Sequence, residues 1–201
     1  MAVELVSLSQ LKDTDLKRLA KLHHGVMHTL LSDLGLPIVS RYYQIAHSDL
    51  SVVGICAINS SNEIMGWAMG SPHPDRINSS LRKPLPWFAA QMFRVMFTRP
   101  LVLLQLVSSV FSSSAETEMD SDEIELTYIG VAPSQRGKGL GKKLLNAFVE
   151  SSSSNGYRSV VLSVETDNSD AIALYERSGF KITRTYSEGR YQRHRMELIL
   201  K

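Results

Sequence analysis

The sequence predicts an α/β domain with a mixed central β-sheet flanked by helices. Three observations carry this. Some stretches repeat apolar residues at three- and four-residue steps, while others run apolar over strand-like lengths. The last third reads strand, helix, strand, helix, strand, strand. A glycine-rich turn, "QRGKGLGKKLL" from Gln135 to Leu145, joins the first of those strands to its helix.

Each element follows in order. "VELVSL" reads as a first strand, and Asp13 or Thr14 is placed to cap a helix. Leu16, Leu19, Leu22, Val26, Leu30 and Leu34 then form an apolar stripe at helical period, stopped by Gly35 and Pro37. "IVSRYYQIAH" is a second short helix. "SVVGICAI" and "EIMGWAMG" flank the turn "NSSN" and read as a β-hairpin. Residues 71–122 differ in character and form a helical insertion between the third and fourth strands. Within it, Trp87, Phe88, Met92, Val95 and Met96 fit one face of a helix. Arg99-Pro100 breaks that helix, and "LVLLQLVSSVF" fits a second one, giving a helical hairpin packed on the domain. A dimer interface, a lid and a peripheral membrane contact remain open for the same segment. Its Ser/Glu/Asp-rich end reads as mobile.

From Glu123 the pattern sharpens. "EIELTYIGV" is a strand and "APSQR" a loop, and after the glycine turn Leu140, Leu144, Leu145, Phe148 and Val149 share a helix face. "SVVLSV" reads as a strand covered on both faces. "SDAIALYERSG" is a helix ended by Gly179, and "FKITRTY" and "RHRMELIL" finish the sheet.

Composition narrows the function classes. The chain has 201 residues, 43% of them apolar and 21% charged, which fits one globular domain over 1–201. A formal net charge of +2 gives no case for nucleic acid. The single cysteine, Cys56, lies in an apolar run and cannot form an internal disulfide. That usage, with no basic and apolar leader at the start, fits a cytoplasmic setting. No apolar run reaches the roughly 18 residues of a spanning helix. His24 and His28 stand four apart in the sequence, but no third ligand is evident, so no metal is expected.

The glycine turn suits a phosphate, because a turn opening a helix presents free N–H groups and partial positive charge. A magnesium-nucleotide loop needs a hydroxyl after Gly141-Lys142, and Lys143 stands there. A dinucleotide fingerprint fails too, since its third glycine position is Lys142. The pattern [Q/R]-x-x-G-x-[G/A] is met through Arg136, Lys138, Gly139 and Gly141. "IGVAP" precedes it, and Asn168, Ala171, Leu174, Tyr175, Gly179 and Phe180 follow in the spacing N-x-x-A-x-x-[L/F]-Y-x-x-x-G-F. These two motifs cover about a third of the chain and resemble those of the GNAT superfamily of N-acetyltransferases.

The resemblance implies a GNAT fold, acetyl-CoA as cosubstrate and direct acetyl transfer to a primary amine. It implies a pyrophosphate cradle over Arg136, Gly137, Lys138, Gly139, Gly141 and Lys142. It also implies main-chain pairing of pantetheine by Ile129 and Val131, with Asn168 and Ala171 in the adjoining motif. Tyr175 is implied as the acid facing the departing sulfur. The acceptor stays open between a small amine or amino sugar and a protein amine, and a non-catalytic CoA-binding module is the alternative from another class. Glu125 is the candidate base: a carboxylate in an otherwise apolar strand is costly unless paired or solvated by a cleft. Some family members place their glutamate there. Glu165 is the second option.

Overall fold

The computed structural model describes residues 3–98, 120–188 and 191–200. Seven strands form one sheet in the order β1-β2-β3-β4-β5-β7-β6. They are β1 (Val3–Ser7), β2 (Val53–Asn59), β3 (Ile64–Ser71), β4 (Glu123–Val131), β5 (Ser159–Glu165), β6 (Lys181–Glu188) and β7 (Tyr191–Ile199). All neighbours are antiparallel except β4 and β5. The helices are α1 (Asp13–Val26), α2 (Leu30–Asp33), α3 (Leu36–Ser48), α4 (Pro74–Leu81), α5 (Leu85–Thr98), α6 (Leu140–Ser154) and α7 (Ser169–Arg177).

Strand alternation divides the core between two faces. On one face Cys56, Trp67 and Met69 pack with Leu16, Leu19, Ile38, Val39 and Tyr43 of α1 and α3. On the other, Ala57, Ala68, Ile124, Val160, Leu162 and Met196 pack with Leu144, Leu145 and Phe148 of α6. Phe148 and Trp67 are wholly buried, each contributing a few kcal/mol by area.

Several expectations are corrected. The stripe from Leu16 to Leu34 is two helices, because Thr29 caps α2 by accepting from the Ser32 amide at 3.3 Å. His28 therefore lies in the link and shares no helix face with His24. Helix α1 begins at Asp13 itself, after Lys12, with no side-chain cap; Asp13 and Asp15 instead sit in its first turn, where negative charge is favoured. Strand β5 is not covered on both faces throughout: Ser163 and Glu165 are half-buried. In α5, Val95 is buried and Trp87 and Met92 pack on the α1/α3 cluster, whereas Met96 is exposed. Helix α4 was not anticipated. The expected second insertion helix and most of the acidic stretch lie outside the described residues. Asp120 and Asp122, at that stretch's end, pair with Arg158 at 3.3 and 3.5 Å.

Candidate active site

The cleft begins where β4 and β5 part. Their parallel pairing covers only Glu123, Ile124 and Glu125 against Ser159, Val160 and Val161. Both strands then run on, β4 to Val131 and β5 to Glu165. The Ala132 amide donates to the Met65 carbonyl at 2.8 Å, which fixes the alternation along β4. The polar backbone groups of Gly130 accordingly face β3, and those of Ile129 and Val131 face the gap.

The glycine turn closes one end. After a short 3-10 turn (Pro133–Gln135), Gly137 and Gly139 take φ of 73° and 77°, a region that disfavours residues with a side chain. A Cβ at either would meet no atom within 4 Å, so both face open space. The Arg136 and Lys138 amides are already bonded, to Pro133 and Gln135 carbonyls at 3.3 and 3.4 Å. Among the described residues, the amides of Gly137, Gly139, Leu140, Gly141 and Lys142 have no backbone acceptor. Of the amides in the expected set, those of Gly137, Gly139, Gly141 and Lys142 are thus free of backbone bonds and those of Arg136 and Lys138 are not. Arg136 and Lys142 are exposed, and the Lys138 ammonium donates to the Ser134 carbonyl at 2.8 Å.

Gly141 is where the three parts meet. A Cβ there would stand 3.7 Å from Leu174 Cδ2 of α7 and 3.8 Å from Val131 Cγ2 of β4. Leu174, the neighbour of Tyr175 on α7, thereby reaches the start of α6. The Tyr175 ring is buried against Phe180, and burial pushes its hydroxyl up to about 12. That hydroxyl makes no hydrogen bond among the described residues. Asn168 caps α7 by accepting from the Ala171 amide at 3.3 Å, a structural task.

Glu125 lies at the last paired position of the β4/β5 vertex, on the opposite face from α6. A β-bulge places it there with an unforeseen neighbour. Ser71 faces Glu125 and Gly70 faces Leu126, but Met69 faces Tyr128, leaving Thr127 unmatched. The extra residue turns Glu125 and Tyr128 to one face, where strict alternation would oppose them. Tyr128 then packs edge-on to Tyr42 and to the buried His23, centroids 5.6 and 4.7 Å away. Burial, with smaller contributions from Tyr128 and then Glu125, raises the Tyr42 hydroxyl well above its ordinary range.

Glu125 is ion-paired. Arg195 Nη1 of β7 reaches its Oε2 at 3.1 Å and also donates to Ser163 Oγ at 3.2 Å. Tyr186 of β6 donates to the same Oγ at 2.9 Å. Glu165 lies two residues beyond Ser163 on β5 and faces Arg193 in register. Sequence reasoning missed Arg195, Ser163, Tyr186, Tyr128 and Tyr42. Two signals were present: a lone serine inside "SVVLSV", and arginines two apart in "RHRMELIL", hence on one strand face. The bulge left none.

A cavity of about 210 Å³ lies between α5 and the α1–α3 turns, lined by His24, Asp33, Leu36, Gln91, Arg94 and Val95. Among the described residues, no group of three or more His, Cys, Asp or Glu side chains could hold a metal, and no helix is long and apolar enough to cross a membrane.

A profile of the Acetyltransferase (GNAT) family matches residues 26–180. Among curated proteins, a mycothiol acetyltransferase of Corynebacterium efficiens is 43% identical over 63 residues, 31% of this chain and 21% of that protein. One of Jonesia denitrificans is 33% identical over 101 residues, 50% of this chain and 31% of that protein. The chain therefore spans well under half the length of these relatives. In fold it resembles the ribosomal-protein-S18-alanine N-acetyltransferase of Escherichia coli, at TM-score 0.62 and 16% identity, covering 100% of this chain and 95% of that one. It also resembles the PaiA N-acetyltransferase of Thermoplasma acidophilum solved with coenzyme A, at TM-score 0.61 and 14% identity, covering 100% of both.

Proposed function

This chain belongs to the GNAT acetyltransferase family, and from that premise we propose that it transfers acetyl from acetyl-CoA directly to a primary amine of a small molecule or sugar. The observation that supports this most is the vertex of the sheet. Strand β4 leaves β5 after Glu125, and the freed edge at Ile129 and Val131 leads to the unbonded amides from Gly137 to Lys142. A chain with amide groups along its length and a pyrophosphate at its end fits that path.

In this reading Arg136, Lys138 and Lys142 add positive charge around the pyrophosphate, and Gly137, Gly139 and Gly141 keep the backbone accessible. Asn168 and Ala171 set the start of the helix that carries Tyr175. The amine attacks the thioester carbonyl, the C–N bond forms, and the C–S bond breaks. A backbone amide near Ile129 is placed to polarise the carbonyl. Tyr175, held to about 12, stays protonated through the neutral range. Set against roughly 8.5 for an ordinary thiol, it serves the departing thiolate better as a hydrogen-bond donor than as a full proton source. Glu125, on the other face of the vertex, receives the ammonium and its proton, directly or through water.

The acceptor side is read from Glu125, Tyr128 and Tyr42, with α5 beside them. Trp87 and Met92 of α5 pack on the same apolar cluster as Tyr128. The test is thiol release from acetyl-CoA across a library of amino sugars, polyamines, amino acids and peptides with free N-termini or lysines. Release with small amines or sugars is expected. Release only with peptides would make the acceptor a protein amine, and acetyl-CoA binding without release from any acceptor would leave a CoA-binding module.

A further inference from the structure

Glu125 does not stand alone at the vertex, and what holds it comes from three other strands. Arg195 on β7 spans β5 to reach it, crossing at the step from Val161 to Ser163. That step is the first at which β4 and β5 no longer pair. The contact is 3.1 Å, and both side chains are largely withdrawn from water, at 15% and 22% exposure. An arginine head is planar and donates only, so its direction is set by what accepts from it. Here Nη1 is shared between Glu125 Oε2 and Ser163 Oγ. Tyr186 also donates to that serine oxygen, so both of its acceptor sites are filled. The tyrosine ring is pinned in turn by the Arg184 guanidinium, 5.0 Å from its centroid. Arg184 and Arg195 are directly opposite in register, where like charges repel. Stacked on Tyr186, Arg184 leaves Glu125 to Arg195.

We propose that Arg195, aimed by Ser163 and Tyr186, is the positioning residue of Glu125. This rests on Glu125 acting on the acceptor amine as proposed above. Arg195 anchors the carboxylate to β7, beyond β5, so the carboxylate keeps one orientation at the last position where β4 pairs with β5. It acts on turnover through Glu125, its side-chain contacts being to Glu125 and Ser163 and not to the glycine turn. Ser163 and Tyr186 act one step further back.

The experiment is a double-mutant cycle on the full chain, with the best acceptor from the amine library. Glu125→Gln is measured first; wild-type turnover in it would remove the base reading itself, whatever Arg195 does. With that variant slow, Arg195→Gln should lower kcat roughly 10-fold or more and leave the KM of acetyl-CoA within about 3-fold. In the Glu125→Gln background, the same change should cost nothing further. Tyr186→Phe, which keeps the ring, should lower kcat by a smaller factor, again only when Glu125 is present. Arg195→Lys should recover part of the loss. Unchanged kcat in Arg195→Gln would overturn the proposal, as would an equal loss in both backgrounds. If Arg195→Gln fails to fold, Tyr186→Phe and Ser163→Ala carry the same cycle, and additivity with Glu125→Gln in both would overturn it.

Discussion

The two sides of the vertex are built in opposite ways. The side assigned to acetyl-CoA comes from one unbroken stretch, Ile129 to Lys142, closed by the next helix but one. Its working groups are main-chain amides, fixed by local turn geometry and by two glycines at positive φ. The side assigned to the acceptor comes from α1, α3, β4, β5, β6 and β7. Its working groups are side chains, fixed by strand register and by one bulge. A site of the first kind is vulnerable to a single backbone change. A site of the second kind is vulnerable to loss of any partner in a network, and to pH.

The largest effect should come from breaking the backbone side. Gly139→Val places a β-branched residue where φ is 77°, in the space next to the free amides. Two charge-assisted hydrogen bonds at about 2 kcal/mol each predict a loss of acetyl-CoA affinity of roughly 1,000-fold by calorimetric titration. Gly156→Val is the control: Gly156 also has positive φ, 85°, just beyond the C-terminus of α6. It should lower thermal stability by similar backbone strain and leave the affinity unchanged. Equal loss in both variants would mean that strain, not the cradle, is being measured.

Acid should break the side-chain side. His23 is fully buried, with Nδ1 at 2.8 Å from the Tyr43 hydroxyl, and burial lowers it from 6.5 to about 4. The lowered value means that the folded state binds the proton less readily than the unfolded one. Its contribution is complete above about pH 6.5 and is lost as pH falls through about 4, to a total of about 3 kcal/mol. Urea unfolding at pH 7 and pH 4.5 should show this extra acid slope in the wild type and not in His23→Gln. Parallel slopes would mean that the imidazole is not held neutral. Because His23 packs on Tyr128, acceptor KM should hold on mild acidification and rise only as pH falls toward about 4, where the folded imidazole begins to protonate.

The smallest effect should come from Tyr175→Phe. It removes a hydroxyl with no partner among the described residues and keeps the ring against Phe180. Thermal stability should hold, while kcat drops roughly 10-fold, the worth of one hydrogen bond to a charged sulfur. Full activity would return Tyr175 to a packing role.

The sequence by itself determined the strands, the helix after the glycine turn, and the family. Those follow from local rules: alternation, helical period, glycine where φ is positive, and an asparagine before a helix. It also singled out Glu125, through the cost of a carboxylate in an apolar strand. Tertiary structure decided what surrounds Glu125 there. Only the placing of β7 between β5 and β6 brings Arg195 to it, and only the unmatched Thr127 brings Tyr128 round to the same face. Neither leaves a local trace, because register is a relation between strands distant in the chain: a shift of one residue reverses every side chain and alters no propensity. The helix break at Met27–Thr29 was hidden for a related reason, since apolar spacing continues through a link whose residues still pack on the same core.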